Sequence, residues 1–323
     1  MGNGVQNYQV YSPQEFHALF LNLVKQAKEK VLVQIMEMNT YGEYGQKLLA
    51  GLKEAADRGI DVRVNIDNVI LLSEYKLPQI LQQAGVKVTV IDPFGKNIFL
   101  KLTRHSHIKV VVVDKIAFLG GMNFKENSFQ NTVDCMVLLA NEVAVKELKK
   151  LILDFNEGRS YDIKSVDLGD GTRILFDNGD PGKSRILDEV ISLVKNSTKS
   201  VNWLSEYIPD GQFLKEIIIA KKRGVRVCGL VAPLKSLTLP DRTYSFFNLI
   251  ILKLKRLENI VKFGQKMIHG KLLLVDGKKA VVGSHNFADL GVRLGTKEAV
   301  LVSENPTLVG NLIKFYKDVQ KVN

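Results

Sequence analysis

Cysteine is almost missing from this chain of 323 residues: Cys135 and Cys228 sit inside the apolar runs DCMVLLA and VRVCGLV. Thiols placed this way read as small buried hydrophobes, which excludes a disulfide scaffold, and no Cys/His cluster has the spacing of a zinc site. Long apolar runs are missing as well. None approaches the roughly 18 residues of a conventional membrane span. The amino terminus, MGNGVQNYQVYSPQEF, lacks the charged and apolar blocks of a secretory signal, and Gln6 stands where a myristoylation signal has Ser or Thr. A cytoplasmic or membrane-peripheral protein is expected.

What is present is ordinary in bulk and unusual in detail. Hydrophobic residues make up 46% and charged residues 24%, which excludes disordered and collagen-like chains. Lysine and arginine number 45 against 34 acidic residues, a formal charge of +11. That excess favours a polyanionic partner, either nucleic acid or an anionic membrane surface. At about 150 residues per domain the length fits two units.

The two units are copies. Residues 43–67, EYGQKLLAGLKEAADRGIDVRVNID, match residues 210–232, DGQFLKEIIIAKKRGVRVCGLVA. In both, an amphipathic helix pattern ends at Arg-Gly, Arg58-Gly59 and Arg223-Gly224, where glycine can cap the helix before a strand. Residues 104–124 match residues 266–287 at nearly the same offset. The boundary falls where NEGRSYDIKSVDLGDGT gathers turn formers, giving lobes 1–163 and 164–323.

Within each half, short Val/Ile/Leu runs alternate with helical patterns. Strands are expected at 31–34, 62–66, 86–91, 108–113, 136–139, 225–231, 272–275, 280–282 and 299–302. Helices are expected at 13–29, 45–58, 142–157, 183–196, 211–223 and 306–320. Continuous runs such as VVVV and LLLV fit strands covered on both faces. The fold class is therefore α/β, with two similar lobes, each a mixed or parallel sheet flanked by helices.

The chemical signal is a doubled motif. His107-Ile108-Lys109 is followed by four apolar residues, Asp114, and Gly120-Gly121-Met122-Asn123. His269-Gly270-Lys271 is followed by four apolar residues, Asp276, and Gly283-Ser284-His285-Asn286. Residues two apart on a strand share a face, so each His and Lys is expected to project together. A histidine on an apolar strand is ordinarily a satisfied core residue. Here a chance match for one copy is roughly a few per cent and for two roughly one in several thousand.

These residues resemble the phospholipase D superfamily, whose signature is HxK, four residues, D, then a G-(S/G)-x-N element, in two copies per chain. The resemblance covers essentially the whole chain. It implies one active site at the pseudo-two-fold interface, to which a single monomer brings both halves. It also implies a phosphodiesterase, hydrolase or phosphatidyltransferase, working through a phosphohistidine with no metal and no other cofactor. His107 is then the nucleophile and His269 the acid/base, while Lys109, Lys271, Asn123 and Asn286 hold the nonbridging oxygens. Asp134 and Glu298 resemble the acid that follows the asparagine in family members and are suited to hold a ring nitrogen of histidine. Asp114 and Asp276 belong to the motif and are expected to fix the strand-to-turn geometry rather than touch substrate. Glu37, Glu206 and Ser284 are supporting candidates, and His285 is placed to touch substrate.

The physical logic agrees with the resemblance. Phosphodiester cleavage needs a nucleophile, an acid for a poor alkoxide leaving group, and positive charge against the phosphoryl oxygens. Neutral imidazole can attack and imidazolium can donate near neutral pH, so two histidines supply both. The stretches IAFLGGMNF and NTVDCMVLL look most like cardiolipin synthases. Such synthases usually carry membrane segments before the first lobe and D-x-R-S after the second Asn, and this chain reads FADLGVRLGTKE there.

Substrate class rests on two stretches before the motifs, PFGKNIFLKL at 93–102 and YSFFNLIILKLKRLENIVKF at 244–263. Both mix bulky apolar residues with lysine or arginine, as an element lying on an anionic membrane does. Glycerophospholipid is the expected substrate. The alternative is a nuclease, since basic and aromatic residues together also suit single-stranded nucleic acid.

Overall fold

A computed structural model describes residues 8–91, 105–156 and 165–323. The expected lobe boundary at 163/164 and the stretch 93–102 lie outside the described residues. In the first lobe β1 (Tyr8–Tyr11), β2 (Lys30–Ile35), β3 (Asp61–Asp67), β4 (Lys87–Ile91), β5 (Val110–Val113), β6 (Ile116–Gly120) and β8 (Met136–Leu139) form one sheet, ordered β1-β8-β6-β5-β2-β3-β4. The second lobe has β9 (Ser165–Asp167), β10 (Thr172–Asn178), β11 (Ser200–Ser205), β12 (Arg226–Val231), β13 (Val261–Phe263), β15 (Lys271–Val275), β16 (Lys279–Gly283) and β17 (Lys297–Ser303), ordered β9-β10-β17-β16-β15-β11-β12-β13. From β10 to β13 this repeats the first sheet strand for strand. In both lobes the last three strands run parallel and the remaining pairs antiparallel.

Helices α1 (Pro13–Gln26) and α2 (Gly42–Asp57) cover the outer face of the first sheet, followed by the shorter α3 (Leu77–Gln83), α4 (Glu126–Gln130) and the longer α5 (Glu142–Asn156). In the second lobe α6 (Arg185–Lys195) and α7 (Gly211–Lys222) take the outer positions, followed by α8 (Leu239–Leu254), α9 (Asp289–Leu294) and α10 (Pro306–Val322). One apolar cluster joins the inner faces of both sheets with α5 and α10, and two more fill the outer faces. The run VVVV shows why a continuous apolar strand is needed: Val110 and Val112 enter the shared cluster, Val111 and Val113 the outer one. Leu272 and Leu274 likewise face inward, Leu273 and Val275 outward. Period-two alternation between two cores leaves no polar face to mark.

The structure corrects several element bounds: α2 begins at Gly42, three residues before the expected 45, and α6 spans Arg185–Lys195 rather than 183–196. Helix α1 ends at Gln26, three residues before the expected 29. The strand expected over 108–113 starts only at Val110, because the backbone before it is engaged by the other lobe. The His107 amide donates to the Lys297 carbonyl at 2.8 Å, and the Lys297 amide to the His105 carbonyl at 2.8 Å. The second lobe answers with β14 (Met267–Ile268) pairing in parallel with β7 (Thr132–Val133). There the amides of His269 and Gly270 both donate to the Val133 carbonyl.

Asp114 and Asp276 lie at the far ends of β5 and β15, roughly 16 Å along the strand from the motif lysines at about 3.3 Å per residue. Both have positive φ, 49° and 56°. The Asp114 carboxylate accepts the amides of Lys28, Glu29 and Lys30, and Asp276 accepts those of Thr198, Lys199 and Ser200. Each ties its turn to the loop that begins β2 or β11, which removes both aspartates from the reacting groups. Asp276→Ala is expected to lower the unfolding free energy by about 2 kcal/mol, the scale of charged hydrogen bonds lost to a backbone. Chemical denaturation and kcat measured together test this: kcat stays near the parent value, whereas a collapse of kcat at unchanged stability returns Asp276 to the chemistry.

Candidate active site

The site is assembled where the two lobes exchange backbone. β7 leads directly into Asp134, and the pairing of β14 on β7 delivers His269 to it: His269 Nδ1 lies 2.6 Å from Asp134 Oδ2. In the mirror arrangement, Lys297 bonds the chain on either side of Ser106, and the next residue, Glu298, meets His107 with Oε1 3.2 Å from Nδ1. Each lobe's acid therefore holds the other lobe's histidine. Spacing along the chain, 27 residues from His107 to Asp134 and 29 from His269 to Glu298, gives no sign of this crossing.

Both motif lysines are buried to 1% exposure or less. Lys109 Nζ donates to the His107 carbonyl at 2.7 Å, and Lys271 Nζ to that of His269. Burial pushes the Lys109 ammonium down, and Lys271 beside it adds repulsion; nearby Glu298 and Asp134 only partly offset this, leaving its pKa at about 8. Lys271 is lowered for the same first reason, with Glu206, Asp134 and Glu298 opposing. Two cations this close, aimed into one place and kept from water, are a site for an anion.

The acids are set to accept. Burial raises the Glu298 carboxyl, but His107, His285 and Lys109 outweigh it and bring it to about 2. An ionised carboxylate at Nδ1 places the proton of a neutral His107 there and leaves the lone pair on Nε2. Burial and the Lys109 charge hold His107 below the ordinary histidine value, against the pull of Glu298. Neutral imidazole is thereby favoured at position 107.

The supporting residues are not symmetric. Glu206 Oε2 lies 3.8 Å from His269 Nε2, whereas its counterpart Glu37 accepts from Asn123 Nδ2 at 3.0 Å and stands 3.5 Å from Lys125 Nζ. Burial raises the Glu206 carboxyl, but His269 and Lys271 bring it net below the usual value. Both glutamates stand just past the ends of β2 and β11. Ser284 donates its hydroxyl to Glu298 and accepts the Ala299 amide. Its counterpart Gly121 has no such group, and a Cβ there would come within 2.5 Å of Asp134 Oδ1.

Beside His107, Asn286 and Glu298 opens a cavity of about 370 Å³ whose further walls are Tyr207, α8 and α9. His285 lines it and, by accepting the Phe287 amide at Nδ1 (2.9 Å), is left with its proton on Nε2 when neutral. The counterpart Met122 is core. Tyr244 opens the stretch 244–263, but the sequence pattern marks neither Tyr207 nor Leu290 and Leu294. The last two stand in the very segment, FADLGVRLG, that departs from D-x-R-S, and a departure beside a motif is the signal that would have pointed to them.

Comparison with known proteins gives a consistent result. A family profile described as cardiolipin synthase, PLD-like domain, matches residues 20–155 and 190–319. The chain is 25% identical over 352 residues to cardiolipin synthase B of Escherichia coli, covering 96% of this chain and 80% of that one. It is 25% identical over 289 residues to cardiolipin synthase 2 of Staphylococcus epidermidis, of which it spans 58%. Among solved structures, phosphatidylserine synthase of Haemophilus influenzae superposes with a TM-score of 0.72 at 15% identity, over 98% of this chain and 87% of that one. Polyphosphate kinase of Porphyromonas gingivalis superposes with a TM-score of 0.64 at 13% identity, over 95% of this chain and 49% of that one. At such identities the likeness is one of fold.

A tetrahedral dianion in the site restores the proton that Lys109 has lost near pH 8.5. Tungstate binding is therefore expected to return roughly three quarters of a proton to Lys109 there, read by calorimetry in buffers of different ionisation enthalpy. Lys109→Met is expected to lower the uptake markedly, leaving what Lys271 contributes; equal uptake in the variant would remove Lys109 from the anion site.

Proposed function

The chain belongs to the phospholipase D-like family of cardiolipin synthase, and from that membership we propose that it transfers phosphatidyl groups between glycerophospholipid alcohols without a metal, through a phosphohistidine. We assign residues 1–163 and 164–323 to its two lobes. The chemistry is carried by one observation, the crossed pairs of His107 with Glu298 and His269 with Asp134 above two buried lysines.

In the proposed reaction His107 Nε2 attacks phosphorus with its lone pair. The bond to the leaving alcohol breaks in line, and its electron pair stays on the oxygen, which takes the proton from His269 Nε2. A second alcohol then gives its proton to His269 and attacks phosphorus, and the N–P bond breaks to return neutral His107. Lys109, Lys271, Asn123 and Asn286 offset the charge on the nonbridging oxygens throughout. The asymmetry of the glutamates supports this order. A proton on His269 Nε2 has Glu206 facing it, while the surroundings of His107 favour the neutral, nucleophilic ring.

The lipid reading is supported by α8. It exposes Phe246, Phe247, Ile250, Ile251 and Leu254 while Pro240 and Tyr244 line the cavity beside His107. Lys253, Lys255 and Arg256 sit at the end of this face. A bulky apolar stripe edged by cations suits the boundary of an anionic bilayer. Among the described residues no helix is long and apolar enough to cross a membrane, so contact through α8 would be peripheral.

Purified protein in EDTA with phosphatidylglycerol is expected to form cardiolipin and glycerol, and His269→Ala to accumulate an acid-labile phosphatidyl group on His107. Trapping on His269 in His107→Ala would reverse the assignment. Degradation of single-stranded DNA with no phospholipid turnover would overturn the lipid reading. Changing Phe246, Phe247 and Ile250 to Ser is expected to cut co-sedimentation with anionic vesicles at least tenfold; unchanged binding would place the membrane contact elsewhere.

A further inference from the structure

We infer that the cavity between α8 and α9 holds the acyl-bearing glycerol of the phosphatidyl group retained on His107, and that the exchanged alcohols approach from the opposite side, past His269. The inference rests on the phosphatidyl-transfer reading above and specifies where each half of the lipid lies.

Position comes first. The cavity touches His107, Asn286 and Glu298, so it adjoins the phosphorus on the side of the attacking histidine. In-line displacement puts the leaving and incoming oxygens opposite His107, where His269 stands. The glycerol that stays on phosphorus is an equatorial substituent, free to bend toward the His107 side and away from the exchanged oxygens.

Chemistry agrees. Most of the exposed lining is apolar, with Pro240, Ala288, Leu290 and Leu294 among its walls. Tyr207 and Tyr244 meet edge to face there, ring centres 6.0 Å apart. Polar groups such as His105, Asp241, His285 and Thr296 also line it, but the apolar area exceeds theirs, and ester-linked methylenes bury such area at about 25 cal/mol per Å².

Continuity supplies the route. Tyr244, Phe247, Ile251 and Leu254 follow at i, i+3, i+7 and i+10, one face of α8. The first lines the cavity and the others are exposed. Leu290, on the cavity wall, is itself 46% exposed, so the cavity opens to the surface beside this stripe. A chain leaving the cavity past Leu290 would reach the exposed stripe of α8 that is proposed to meet the bilayer.

The test is a ratio. Leu290→Trp and, separately, Leu294→Trp narrow the cavity at positions that are not fully buried, and circular dichroism checks that they fold. For each protein kcat/KM is measured with dioleoyl phosphatidylglycerol in mixed micelles and with bis(p-nitrophenyl) phosphate, which has no acyl chain. The ratio of the first to the second is expected to fall at least tenfold in both variants. An unchanged ratio, whether or not both rates fall together, overturns the acyl assignment while leaving phosphatidyl transfer standing. Failure of the parent protein to turn over phosphatidylglycerol overturns both.

Discussion

Everything at the centre of this molecule depends on a reciprocal exchange of backbone between the lobes. Lys297 bonds the segment that ends in His107, and Val133 bonds the segment that ends in His269. Because Glu298 and Asp134 are the next residues in chain order, the same bonds that join the lobes also set the distance from carboxylate to imidazole. The lobes cannot separate slightly and keep the histidines oriented. This coupling explains why the shared apolar cluster is so extensive: it holds the interface rigid enough for the hydrogen-bond geometry that histidine orientation requires.

Two fully buried lysines are the cost of that rigidity. Removing an ammonium group from water is unfavourable by several kcal/mol unless opposite charge compensates. Here the compensation is partial. Four carboxylates, Glu37, Asp134, Glu206 and Glu298, act on Lys271, yet its pKa stays below the ordinary lysine value, as does that of Lys109. Burial, more than any excess of positive charge, is what lowers both lysines. A phosphodiester set against them supplies the negative partner that water cannot, and in a low-dielectric place that attraction is strong.

Much of this was legible in the sequence, and the failures have physical causes. The duplication, the pairing of His with Lys and the helices at 45–58, 211–223 and 306–320 follow from periodicity and repetition, which are local properties. Strand β11, SVNWLS, escaped because Asn202 interrupts its short apolar run, and the register of strands across lobes has no local signature. The crossing of Asp134 to His269 is the clearest case. Both residues were singled out, but only the pairing of β7 with β14 decides which histidine each acid meets. The cavity walls from α9 were hidden for a similar reason, since a six-residue helix lacks the periodicity by which longer helices reveal themselves.

The duplication is also where the two halves have diverged most usefully. Glycine at 120 and 283 is forced in both, because a Cβ would fall 2.2 Å from the Cys135 carbonyl oxygen in one and 2.3 Å from that of Ala299 in the other. At the next position the copies part. Gly121 leaves room for the short side chain of Asp134 to lie close beneath the loop, where it accepts the Cys135 amide as well as facing His269. Ser284 fills that room and instead tethers the longer Glu298 through its hydroxyl. Glycine with aspartate and serine with glutamate are two ways of fixing one carboxylate oxygen at a ring nitrogen. The first brings the acid to 2.6 Å, the second leaves it at 3.2 Å. Met122 against His285 continues the divergence, putting a core side chain in one lobe and a cavity-lining imidazole in the other. A pseudo-symmetric pair must become inequivalent if one histidine is to attack while the other carries the proton, and these second-position exchanges create that inequality without disturbing the motif residues themselves.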